Sequence, residues 1–98
     1  MINANTFLLL AEEYLTLAAQ QGLTKAQNSL GLMLLDTPRQ TEGKDWLKCA
    51  ALKGHVDSQL FLGRFLEKND SEDAIMWYTL AAKRGNFDAQ YFLTCMAK

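Results

Sequence analysis

The stretch from Trp46 to Gly63, WLKCAALKGHVDSQLFLG, has the pattern of a helix, a glycine stop and a second helix. Much of this pattern recurs upstream in residues 14–31, YLTLAAQQGLTKAQNSLG, and downstream in residues 77–94, WYTLAAKRGNFDAQYFLT. Self-similarity at a fixed period of this size is typical of helical-repeat proteins. The sequence therefore predicts three copies of one helix–turn–helix unit.

The register of the repeat is set by Gly22, Gly54 and Gly85, which recur at spacings of 32 and 31 residues. Glycine fits the left-handed position just past a helix end, so we expect each to terminate a helix. The surrounding columns share residue type in all copies, which predicts that they pack in the core. These columns are Tyr14, Trp46 and Trp77; Ala18-Ala19, Ala50-Ala51 and Ala81-Ala82; Gln27, Gln59 and Gln90; Leu30, Leu62 and Leu93; and the small Gly31, Gly63 and Thr94.

The apolar spacing predicts six helices in a single all-α domain of 98 residues. The helices are expected to form antiparallel pairs at about residues 5–35, 41–67 and 72–98. Because one pair cannot bury its apolar face alone, the pairs should stack into an α/α solenoid.

Capping residues predict where the helices begin. Thr24, with Gln27 three residues later, has the pattern of a capping box for the second helix. The third helix could begin at Thr37, which precedes a proline, or at Thr41, and the sequence leaves both open. The other expected caps are Ser71 or Asp70 for the fifth helix and Asn86 for the last, which should run to the end of the chain.

The composition argues against several classes of function. A net charge of −1 and scattered lysines and arginines give no electrostatic basis for binding nucleic acid. No stretch approaches the roughly 20 apolar residues of a membrane span, so we expect no membrane insertion. The apolar run 7–10 has no basic segment before it, since the first lysine is Lys25, and we interpret it as helix, not signal peptide. These features favour a cytoplasmic protein.

At the repeated columns the chain resembles the Sel-one-like repeat, a relative of the tetratricopeptide repeat. The shared pattern is A-x-x-W-x-x-x-A-A-x-x-G followed by A-Q-x-x-L-G, with Gly43 and Ser58 standing for alanine in the second copy. The third copy matches it at Ala74, Trp77, Ala81-Ala82, Gly85, Ala89-Gln90 and Leu93. The chain departs from the family in its shorter connections around Pro38 and Asp70, and in Leu34 and Leu66 where the family has tyrosine.

The resemblance also indicates where a partner would bind. In tetratricopeptide-like folds the leucine-glycine helix lines the concave groove, so the columns of that helix that vary between copies are expected to contact a partner. Leu60, Arg64 and Tyr91 are the expected anchors, because such side chains often carry binding energy. A solvated groove face is the alternative. The candidate partner-binding residues are Lys25, Asn28, Asp57, Leu60, Arg64, Asp88 and Tyr91.

The remaining reactive side chains have structural interpretations. His55, the single histidine, aligns with Asn86 and is expected to cap a helix. Cys49 aligns with Leu17 and Leu80 and is expected in the core, whereas Cys95 is expected to be partly exposed. The two cysteines form no CxxC motif, so neither a disulfide framework nor a metal site is indicated. No nucleophile, base and orienting group come together, so we expect no enzyme and no cofactor.

The function expected from these observations is a non-catalytic scaffold or adaptor that holds a protein or peptide segment in its groove. The solenoid follows from the periodicity, and the adaptor role is what the family resemblance implies. Two alternatives remain open. One is an immunity or inhibitor protein that blocks a secreted effector, as the bacterial side of the family suggests. The other is a structural homo-oligomer, such as a homo-dimer, that uses the C-terminal helix as its contact, with Phe92 and Met96 as the expected contact residues.

Overall fold

A computed structural model describes residues 3–97, and this part of the chain forms six α-helices and no strand. The all-α prediction is therefore confirmed. Each helix packs against the next, and connections of three or four residues make neighbours antiparallel. The expected run of the last helix to Lys98 passes beyond the described residues. The helices are α1 (Ala4–Gln20), α2 (Thr24–Leu35), α3 (Gln40–Leu52), α4 (Val56–Leu66), α5 (Ser71–Lys83) and α6 (Phe87–Met96).

The described chain is an elongated stack of helices. Its extents are 52 × 24 × 19 Å and its radius of gyration is 14.5 Å, against about 13 Å for a spherical domain of this length. The terminal helices are covered on fewer sides than the central ones. Only Ala19 in α1 and only Ala89 in α6 are fully buried, whereas α2 and α4 each bury five residues. This arrangement is that of a helical-repeat protein, in which each unit contacts only its neighbours.

The three-residue turns are stabilised by hydrogen bonds to the alanine pairs. Gly54 has a φ of +90°, its amide donates to the Ala51 carbonyl at 3.0 Å, and the His55 amide donates to the Ala50 carbonyl at 3.2 Å. These two bonds define a Schellman motif, which satisfies carbonyls that the helix end leaves free. The same pair of bonds closes α1 and α5, so the three glycine stops are confirmed.

The repeated glutamines fasten each turn to the helix that follows it. Gln59 is 4% exposed, and its Nε2 donates to the Ala51 carbonyl at 3.1 Å. Gln27 donates in the same way to the Ala19 carbonyl at 3.1 Å. In the last copy Gln90 reaches the Ala82 carbonyl at 3.3 Å but is exposed. The glutamine column therefore holds the two helices of a unit together through one carbonyl.

The column of small residues allows close contact with the next unit. A Cβ on Gly31 would lie 2.7 Å from Leu47 Cγ of α3, and a Cβ on Gly63 would lie 2.7 Å from the Tyr78 ring of α5. Both distances are too short for carbon atoms in van der Waals contact. Thr94 occupies the same column in α6, where it is exposed. A glycine is thus needed only where a following helix packs on the column.

Basic residues at the ends of α3 and α5 reach back to the preceding glycine turn. Lys53 Nζ donates to the Gly22 carbonyl at 2.6 Å. The Arg84 guanidinium lies against Gly54, 2.8 Å from where a Cβ would be. The repeat register thus places each basic residue just before the glycine of its own unit, with its side chain in contact with the glycine turn of the preceding unit.

Three expected caps are confirmed and one is wrong. The side chains of His55, Asp70 and Asn86 accept hydrogen bonds from the first turns of α4, α5 and α6. Thr24 does not cap α2, whose N-cap is Leu23 without a side-chain bond. The capping-box interpretation fails because the amide of Gln27 is directed to α1.

The start of α3 lies between the two alternatives from the sequence. The helix begins at Gln40, and its N-cap Arg39 makes no side-chain cap. Thr37 instead organises the connection, since its Oγ1 accepts from the Arg39 amide at 3.1 Å and donates to the Leu34 carbonyl at 2.6 Å.

Two core assignments are wrong, each for a different reason. Trp77 is 4% exposed because α3 and α4 cover it, but Tyr14 in the same column is 74% exposed, since no unit precedes α1 in the described chain. Cys49 is exposed rather than buried. Its aligned leucines, Leu17 and Leu80, are themselves 61% and 40% exposed, so the column points outward in every copy.

Replacing Gly54 by alanine is expected to lower the free energy of unfolding by about 1–2 kcal/mol for the left-handed backbone, with a further loss because Arg84 must move. Gly85→Ala is the matched control. Its φ is +91° but nothing lies within 4 Å of the added Cβ, so it should show the backbone cost alone. Urea unfolding of both variants measures the difference, and an equal loss would contradict a contribution from the Arg84 contact.

Candidate protein-interaction surface

Helices α2, α4 and α6 lie along one side of the stack, which we call the even-helix face. Ser58 Oγ of α4 lies 2.8 Å from Asn28 Oδ1 of α2. Further along, the Arg64 guanidinium of α4 lies over the ring of Phe92 in α6, 5.0 Å from its centroid. These contacts join three helices that are not neighbours in sequence, so the candidate residues that are exposed on α2, α4 and α6 lie on one side of the stack.

The start of α4 is fixed by a small polar network. The Ser58 amide donates to His55 Nδ1 at 3.2 Å, and Ser58 Oγ lies 2.8 Å from the same nitrogen. Ser58 has no exposed surface. The pair therefore caps the helix, and Ser58 Oγ is not accessible to a substrate in this conformation.

The charged candidates lie at corresponding positions in the first turns of the even helices. Lys25, Asp57 and Asp88 are all exposed, one in each of α2, α4 and α6. The two carboxylates are favoured there by the positive end of the helix dipole. The residues form a charged edge along the helix N-termini, and its sign changes from positive at α2 to negative at α4 and α6.

Leu60 and Asn28 offer less to a partner than the sequence suggested. Leu60 is 7% exposed and packs in a cluster with Tyr78 and Ala89, so it belongs to the core rather than to the groove surface. Its column varies between copies, but α5 and α6 cover it. Asn28 is half-buried, and its side-chain oxygen is already bonded to Ser58.

Arg64 and Tyr91 belong to a stacked group that we call the aromatic–arginine cluster: Arg64, Tyr78, Tyr91 and Phe92. Phe92 stacks on buried Tyr78 with ring centroids 5.4 Å apart and meets Tyr91 edge-on at 5.7 Å. Arg64 covers the Phe92 ring at a distance suited to cation–π attraction. Tyr91 is 65% exposed. The cluster therefore presents an arginine and a tyrosine that are held in place from below.

Sequence reasoning missed Phe87, the most exposed large apolar side chain among the described residues, at 82%. It lies four residues before Tyr91 on α6, so both project from one side of the helix. Its column holds Thr24 and Val56 in the other copies. That change from polar to aliphatic to aromatic was the available signal, since repeated columns such as the alanine pairs keep one residue type in all three copies.

Within residues 3–97, no three His, Cys, Asp or Glu side chains are grouped closely enough to hold a metal ion. None of the described helices combines the length and the hydropathy that crossing a membrane requires.

Comparison with models of known protein families finds none that matches the chain, and comparison with curated proteins finds no relative. The resemblance to Sel-one-like repeats therefore stays a prediction that rests on the repeated columns.

The buried Tyr78 beneath the cluster predicts a loss of stability at alkaline pH. Burial raises the pKa of its hydroxyl, and Glu67, whose Oε2 is 3.2 Å away, raises it further. Because the folded pKa exceeds the unfolded value of about 10, the stabilisation is present below that pH and is lost as pH rises above it.

Between about pH 9 and 11, the free energy of unfolding is expected to fall less with rising pH in Tyr78→Phe than in wild type. Urea unfolding at each pH measures this free energy. Tyr14→Phe, at an exposed position, is the control and should keep the wild-type profile. Identical alkaline losses in Tyr78→Phe and wild type would show that another group is responsible.

Proposed function

We propose that this protein is a non-catalytic interaction module that holds a segment of another protein against its even-helix face. The observation that carries the proposal is the aromatic–arginine cluster, which leaves Tyr91 and Arg64 exposed on a rigidly packed base. Arginine and tyrosine are the residue types that most often dominate binding energy at protein interfaces.

The geometry favours a partner that supplies an apolar side chain. Phe87 and Tyr91 stand one helical turn apart and are both well exposed, so an apolar residue could pack between their rings. Phe92 is already stacked on Tyr78, which limits the entropy that the site loses when a partner orders it. The cluster would thus act as a preorganised anchor.

Charge would select among apolar partners. Asp88 lies next to Phe87 in sequence, and Asp57 is at the same position of α4. Both carboxylates are exposed and lie at the same end of the even helices as Phe87. A partner segment with a basic residue close to its apolar anchor would complement this arrangement, and such complementarity chiefly adds specificity and speed of association.

The alternative of a homo-dimer formed through the C-terminal helix is less well supported by the positions of its expected contact residues. Phe92 and Met96 are half-buried and pack against the core formed by α4, α5 and α6. Most of their apolar surface is therefore already used within one chain. The large side chains of α6 that remain exposed to a partner are Phe87 and Tyr91, and the polar Asp88, Gln90 and Thr94 and the thiol of Cys95 are exposed beside them.

Replacing both Tyr91 and Arg64 by alanine is expected to weaken partner binding by about thirtyfold or more, the effect of losing about 2 kcal/mol at an interface centre. Candidate partners are captured from lysate of the source cell, and the affinity of the purified partner is then measured by calorimetry. Circular dichroism confirms that the variant is folded, as expected for exposed positions.

The matched control is Tyr14→Ala combined with Lys48→Ala, which also removes one tyrosine and one basic side chain, from exposed positions on α1 and α3. This variant should bind like wild type. A partner that binds the cluster variant and wild type equally would place the site elsewhere and contradict the proposal.

A further inference from the structure

Helices α1, α3 and α5 lie on the other side of the stack, which we call the odd-helix face. The repeat register shows which residues point outward there. Leu17, Cys49 and Leu80 occupy one column and are exposed in all three copies. Neighbouring columns of the same helices therefore contribute to the same outer surface, and this surface is independent of the even-helix face.

At one end of this face, α1 presents an acidic and apolar strip formed by Leu9, Glu13 and Leu17. These residues are spaced by four, so they lie along one side of the helix. Leu9 and Leu17 are 64% and 61% exposed. Helix α1 carries two glutamates and no basic residue. Glu12 pairs with Arg39, which makes both of the ion pairs found among residues 3–97. Glu13 takes part in neither pair and is exposed to solvent.

At the other end, α3 and α5 enclose a groove of about 670 Å³ with the opposite charge. Its apolar walls come from Leu52, Met76 and Leu80, which are 70%, 47% and 40% exposed. The cations that line it are Lys48, Lys83 and Arg84, and no acidic residue lines it. We call this feature the α3–α5 groove.

We propose that the α1 strip docks in the α3–α5 groove of a second copy of this chain, and that the second copy docks reciprocally. The strip and the groove are both apolar and carry opposite charges. Because they lie at opposite ends of one outward face, they cannot meet within a single chain. A two-fold dimer brings each strip onto a groove, which is the self-complementarity that an isologous interface requires.

The middle of the face is compatible with this arrangement. There Asp45 of α3 is exposed three residues before Lys48, the cation that also lines the α3–α5 groove, and Cys49 is exposed beside them. Near a two-fold axis these charges can pair across copies instead of repelling each other. The odd-helix face therefore carries an acidic strip at α1 and a group of cations around the α3–α5 groove, while Glu72 and Asp73 lie in the first turn of α5, at the other end of that helix from Lys83.

The face is large enough for a stable dimer. The molecule to which it belongs measures 52 × 24 × 19 Å. A standard interface covers about 800 Å² on each partner, which fits within these dimensions. Large apolar side chains stand at both ends of the face, so burial rather than charge alone would drive association.

Charge reversal tests the contact. Sedimentation equilibrium of wild type should show a dimer whose dissociation constant rises with salt. Glu13→Lys and Lys83→Glu should each weaken dimerisation on the order of tenfold, since each replaces an attraction by a repulsion at two symmetric sites. The double variant Glu13→Lys/Lys83→Glu should regain most of the wild-type affinity, because the attraction is restored with its sign reversed.

Asp88→Lys makes the same change of charge as Glu13→Lys at an exposed position on the even-helix face, so it should dimerise like wild type. Circular dichroism checks the fold of every variant. A chain that remains monomeric up to about 1 mM would overturn the proposal. So would a dimer that both single reversals leave intact, or single-variant losses that the double variant does not recover.

Discussion

The carbonyl of the second alanine in each pair is the point on which the structure depends. It accepts the amide of the glycine that ends one helix and the side-chain amide of the glutamine from the next. One acceptor thus terminates a helix and attaches the following one. The glycine amide reaches this carbonyl because the glycine takes the left-handed conformation at the stop. This double use explains why glycine and glutamine recur together after each alanine pair.

The same local chemistry decides how much of the fold could be predicted from the sequence. The six helices, the glycine stops and the caps at His55, Asp70 and Asn86 depend on contacts within a few residues, so their sequence signals are sufficient. Burial depends on which other helix covers a column. Tyr14 shares its column with Trp77, yet nothing in the described chain covers it. The sequence shows the equivalence of the two positions but not their different surroundings.

The candidate surface was predictable in part for the same reason. Arg64 and Tyr91 were expected at the surface, and both are exposed on the even-helix face. Their contact through Phe92 joins two units, and no spacing within one repeat indicates it. Leu60 was expected to contact a partner because its column varies between copies, but α5 and α6 bury it. The variable columns show at which positions the copies differ in sequence. Which of those positions are exposed and which are buried depends on the packing of the helices around them.

The small number of fully buried residues in the terminal helices has a consequence for motion. In a stack where each unit contacts only its neighbours, local opening requires the least free energy at the ends. Amide hydrogens of α6, which buries only Ala89 fully, should therefore exchange with solvent faster than those of α4. Tyr91 lies on that less protected helix. A partner bound there would slow amide exchange throughout α6, so recognition at this surface would also be a way of ordering the end of the stack.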